Sequence, residues 1–233
     1  MSSRTRMKPH QSSLLIAGGV TLAAYVVPGV RLLLLPLLYL NTHLHEMSHA
    51  LAAVLTGADV ERIVVNTDGS GMTPVQGGNI LVVASAGYLG ASMFGAAMIY
   101  AGRTEKGAKS MLWALSALLI VSMLLWVRGD AVGEAAGIGW IVLLGILAAT
   151  LKGKWAMFGA QFFGLQQCLN AVTSVFTLVQ LSVGTEVHSD ATILYDATGL
   201  PPVLWAVGWT AFSLGLVGWT LRETWNPKLR RAG

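Results

Sequence analysis

The chain has 233 residues, of which 54% are hydrophobic and only 11% charged. A water-soluble globular chain carries about 25% charged residues, so the deficit calls for lipid-facing surface rather than a larger core. The net charge of +4 sits mainly at the two ends, in Arg4, Arg6 and Lys8 and in Arg222, Lys228, Arg230 and Arg231. No basic stripe interleaves with aromatics, which argues against a nucleic-acid partner; charges flanking apolar tracts are instead what orients membrane helices.

Cys168 is the single cysteine and lies in an apolar tract, so intrachain disulfides and CxxC metal sites are excluded. The charged start followed by apolar residues from Leu14 has the outline of a signal peptide. Apolar character continues past Arg31 to Leu55 with no polar mature start, so no cleavage is expected. After a basic tail (1–12), a first hydrophobic segment covers 14–30 and ends at Pro28, Gly29 and Arg31. A second covers 32–56 and carries Pro36 and an unusual polar cluster from Asn41 to His49.

Residues 57–79 differ in kind. Val60, Ile63, Val64 and Val65 are strand formers, and Asp68 followed by Gly69 is a hairpin signal. The reading is a hairpin of strands 60–66 and 72–76, left through Gly77 and Gly78. Further spans are expected at 79–101, 111–127, 135–151, 155–183 and 201–221, each near the roughly 20 residues that cross a bilayer as helix. In the 79–101 span, Gly87, Ala91 and Gly95 form a small-residue stripe, read as close helix packing. A basic loop lies at 103–109, an acidic segment at 184–200 and a basic tail at 222–233. Tryptophans near span ends read as an interfacial belt. The expected fold is thus all-α: one membrane domain, a polytopic bundle of about six to seven transmembrane helices with a short β-hairpin after the second segment.

His45, Glu46, Met47, Ser48 and His49 spell HExxH. Residues four apart share a helix face, so both imidazoles can reach one ion, and Glu46 can take a proton from water activated there. Ionisable groups inside an apolar helix are costly and mark a functional site. A zinc protease site needs a third protein ligand and one open position. His43 is two residues from His45 and points to another face. Glu186, His188, Asp190 and Asp196 are the remaining candidates, and spacing does not choose between His188, Asp190 and Asp196.

The stretches 45–65 (HEMSHALAAVLTGADVERIVV) and 78–96 (GNILVVASAGYLGASMFGA) resemble the site-2-protease group of intramembrane zinc metallopeptidases. Ser189, Asp190 and Ala191, then Leu194, Thr198, Gly199, Pro201 and Trp205, resemble the tail of its small peptidase B-like branch. The likeness runs over most of 35–210. It implies zinc held by His45, His49 and Asp190, with Glu46 as general base. It implies a hairpin beside the active site, able to hold an extended substrate by strand addition. The implied activity is hydrolysis of peptide bonds in membrane-embedded or membrane-proximal protein substrates. The chain departs from better-known members in lacking an NPxxxxLDG motif and any PDZ or CBS domain; Asn170, on a helix face with Gln166 and Gln167, is the candidate substrate-binding donor instead.

Two other readings compete. A non-cutting relative could grip membrane segments, but an intact Glu46 speaks against it. A transporter would also place ionisable groups in the membrane, yet no internal symmetry of the kind common in transporters is present. The indicators of orientation point opposite ways. With seven crossings, ten of the 15 Lys and Arg lie on the side away from the hairpin, which the positive-inside rule assigns to the cytoplasm; the resemblance assigns the hairpin there.

Overall fold

The computed structural model describes residues 7–26, 35–181 and 189–225, with the side chains of 24–26, 35 and 170–181 outside that description. Its elements in order are α1 (Pro9–Val26), α2 (Leu35–Leu55), β1 (Asp59–Val60), β2 (Val64–Val65), β3 (Gly71–Met72), β4 (Val75–Gln76), α3 (Ile80–Ala101), α4 (Glu105–Leu125), α5 (Ala131–Thr150), α6 (Lys154–Leu181), α7 (Asp190–Thr198) and α8 (Pro202–Trp225). The chain is mostly helical, as expected. Among the described residues, α3, α4, α5 and α8 are the helices long and apolar enough to cross a membrane. Composition therefore supports four of the expected six to seven crossings.

Several described polar side chains of α2 and α6 find partners inside the bundle, as hydrocarbon surroundings require. Gln167 of α6 donates to Asn41 of α2. Gln166 donates to Thr21 of α1 at 3.0 Å, and Ser13 of α1 donates to Gln161 at 2.7 Å. Outward-facing Trp113, Ile120 and Leu124 on α4 and Val142 and Ile146 on α5 are exposed, the faces that lipid would cover.

Helix α3 runs through the middle and packs on α2, α6 and α8. It approaches α6 backbone to backbone: a Cβ on Gly95 would stand 2.7 Å from the Gly164 carbonyl, and one on Gly164 2.6 Å from the Gly95 carbonyl. This is the close packing expected of the small-residue stripe. Gly95→Val is expected to destabilise the bundle by about 1–3 kcal/mol through overpacking, read as a lower unfolding midpoint in detergent. An unchanged midpoint would contradict the close α3–α6 crossing.

Local chemistry shifts several expected boundaries. The basic loop 103–109 is largely helical: Thr104 caps α4, its hydroxyl accepting from Gly107 N at 3.0 Å, and Glu105 suits the first turn. Helix α5 begins at Ala131 rather than 135 because Asp130 accepts from the amides of Val132 and Gly133. Helix α1 starts at Pro9, inside the expected tail, a first-turn place that suits proline. The acidic segment contains the short helix α7.

The hairpin is present but broken into two-residue pairs, with Asp59 opposite Gln76 and Val64 opposite Met72. The break falls at Ile63, which turns its backbone outward: its amide donates to Trp126 O at 2.8 Å, and its carbonyl accepts from Arg128 N at 2.9 Å. At the tip, Gly69 has φ +84°, and Asp68 accepts from the Ser70 amide at 2.9 Å. Thr67 donates to Asp130, whose carboxyl is held below the usual range by the Gly133 amide and then by Thr67. The hairpin is thus tied to the α4–α5 junction at its tip and along one edge.

Candidate metal centre

Asn41, His45 and His49 recur at every fourth position of α2, so they share one face. On that face His45 Nε2 lies 3.1 Å from His49 Nε2 and 3.1 Å from Asp190 Oδ2, and His49 Nε2 lies 3.4 Å from Asp190 Oδ1. One ligand atom from each of the three residues falls within 4.8 Å of the others.

Asp190 arrives on α7, and the neighbouring residues of that tail each have a local task. Ser189 caps the helix in a reciprocal box with Thr192, which fixes Asp190 at the first helical position. Ala191 and Leu194 bury against Ala84, Tyr88 and Trp209. Gly199 closes the helix with φ +74°, a left-handed conformation that favours glycine. Tyr88 links this packing to the cluster: its ring stacks on Trp209 at 4.8 Å and meets His45 edge-on at 4.9 Å.

The donor set fits a zinc ion. His49 Nδ1 donates to the Val83 carbonyl at 2.7 Å, which orients the ring and leaves the Nε2 lone pair facing inward. With that ring proton engaged, neutral imidazoles bring at most one proton, on His45, to the three inward contacts. Electron pairs converging with so few protons are what a cation satisfies. Tetrahedral zinc with bonds of about 2.0–2.1 Å to nitrogen separates its ligands by ~3.3 Å, close to the spacings here.

Glu46 is buried in the same cavity of about 650 Å³, which is bounded by α2, the 71–75 strand, the start of α3 and the start of α7. Thr73 Oγ1 donates to Glu46 Oε2 at 2.7 Å. Gly71 backs the same carboxylate, because a Cβ there would overlap Glu46 Oε1 and Cγ. Gly87 of α3 lies against the cluster: a Cβ there would overlap the Nε2 atoms of both His45 and His49. The small-residue stripe therefore serves helix packing at Gly95 and clearance for the two imidazoles at Gly87.

The remaining candidates separate cleanly. His43 points away from the cluster, as its spacing indicates, and donates through Nε2 to the Gly133 carbonyl of α5 at 3.0 Å. Asp196 is exposed on α7 and outside the cluster. Glu186 and His188 fall outside the described residues, and so does the side chain of Asn170 on α6. Asn41, which the sequence reading left without a role, lines the cavity one turn before His45.

A helical bundle that carries such a centre among membrane-crossing helices defines the class: an integral membrane protein of the site-2-protease kind. The family model Peptidase M50B-like matches residues 15–220, and the chain belongs to that peptidase family. No curated protein and no solved structure matches the chain.

Proposed function

We propose that the chain is an intramembrane zinc metalloendopeptidase that cleaves membrane-embedded or membrane-proximal polypeptides. The observation that carries this reading is the convergence of His45, His49 and Asp190 in one cavity with the buried carboxylate of Glu46. Zinc held by those three residues supplies Lewis acidity, making water a competent nucleophile near neutral pH and polarising the scissile carbonyl.

The chain's own groups supply the rest. Glu46 takes the proton from the attacking water and delivers it to the leaving amide nitrogen. Val83 and Asp190 keep the imidazoles in register. A transmembrane helix hides its peptide bonds in its own hydrogen bonds, so a substrate must be drawn out into extended form. The strand over 71–75 supports that step. Its inner side pairs with 59–65, no backbone hydrogen bond among the described residues is made on its outer side, and residues 71–75 line the cavity. An extended peptide added there lies against Glu46 and the ligands.

The test is Glu46→Gln. The variant is expected to keep zinc and to lose cleavage of a dye-labelled unfolded polypeptide such as casein by about 10²–10⁴-fold, the range of a lost general base. Full cleavage by the zinc-loaded variant would overturn the reading.

A further inference from the structure

We infer that Thr73 is a positioning residue for Glu46, so that the hairpin, and not the helix that carries the zinc ligands, sets the orientation of the general base. The inference rests on the reading of Glu46 as that base.

A glutamate side chain has three rotatable bonds, and its position on α2 leaves its carboxylate orientation undetermined. Contacts from outside α2 define that orientation. The Thr73 hydroxyl carries one proton and donates it to Glu46 Oε2 at 2.7 Å. The Glu46 backbone carbonyl is more distant, at 3.2 Å from the same hydroxyl. On the other side, Gly71 presents bare backbone to Oε1 and Cγ, in space that any side chain would take. One oxygen is therefore occupied by a donor, and the other is left for the proton that catalysis moves. Thr73 stands in the break between the pairs Val64–Met72 and Val60–Val75, so its geometry follows the strand that bounds the cavity. Capture of an extended substrate and alignment of the base are thus built from the same short segment.

The test compares Thr73→Val, which keeps the shape and removes the donor, with Thr73→Ser, which keeps the donor. The full-length chain is purified in detergent, its zinc content is measured, and initial rates on dye-labelled casein are taken. Thr73→Val is expected to lower kcat about tenfold to a hundredfold, the scale of a misplaced catalytic group, with KM and zinc content unchanged. Thr73→Ser is expected to recover kcat. A wild-type kcat in Thr73→Val overturns the inference. So does a loss that Thr73→Ser fails to recover or that follows zinc loss, because either marks a merely structural role.

A substrate-free readout separates this outcome from failure of the protease reading. The infrared carboxylate band that disappears in Glu46→Gln belongs to Glu46. It is expected to shift in Thr73→Val and to stay in place in Thr73→Ser, and an unshifted band in Thr73→Val overturns the inference even if casein is not a substrate. Full activity in Glu46→Gln would instead remove the reading on which the inference stands.

Discussion

Asp190→Ala is expected to strip zinc from the purified chain, while Asp196→Ala leaves the zinc content as in the wild type. Asp190 contributes both carboxylate oxygens to the cluster, one toward each imidazole at 3.1 and 3.4 Å. Without it two imidazoles remain, one short of the three protein ligands that hold catalytic zinc. The fall in affinity should exceed the ~10–100-fold that follows loss of an outer-sphere partner, since a ligand itself is removed. Asp196 lies six residues along α7, exposed and outside the group. Metal content by mass spectrometry on the two variants decides the matter. Equal zinc in wild type and Asp190→Ala would move the third ligand elsewhere.

Gly87→Ala is expected to have a comparable effect from the opposite side, by adding one carbon rather than removing a ligand. The new methyl overlaps the Nε2 atoms of His45 and His49, so the rings must turn away or α3 must retreat from α2. Alanine suits a helix better than glycine by about 1 kcal/mol, so the change does not weaken α3 itself. Zinc content and cleavage should fall together while the helical signal in circular dichroism remains. A zinc-replete, active Gly87→Ala protein would contradict the close approach of α3 to the cluster.

The grouping of His45 with His49 was legible because its signal is local. HExxH needs only the four-residue helical spacing to bring His45 and His49 together, and the same spacing turned His43 away. Asp190 is different. It lies 141 residues beyond His49, and its approach depends on α7 burying Ala191 and Leu194 against α3 and α8. Sequence spacing holds no record of that: it leaves Asp190 one candidate among several, and only the resemblance singles it out. Gly87 was read as helix packing because a glycine at four-residue spacing looks the same whether it meets a backbone or an imidazole. Thr73 carried no signal, since one threonine in a strand has no periodicity. The hairpin's existence followed from its strand formers and its Asp68–Gly69 turn. Its break did not, because Ile63 bonds to residues 126–128, across α3 and α4 in sequence.

The proline in the cavity-lining strand has a consequence of its own. Proline within a strand usually blunts an edge, because the missing N–H leaves a gap in the ladder. Here the Pro74 carbonyl accepts from Glu61 N at 3.0 Å, which sets Pro74 on an inward-facing rung. The gap therefore falls inside the hairpin, where it weakens the bond between the two strands. The neighbouring outward rungs, at Thr73 and Val75, each retain an amide and a carbonyl. The strand is loosened toward its own partner and left whole toward a newcomer. Thr73 and Val75 both line the cavity, so a strand paired at those rungs would extend the sheet beside the cluster.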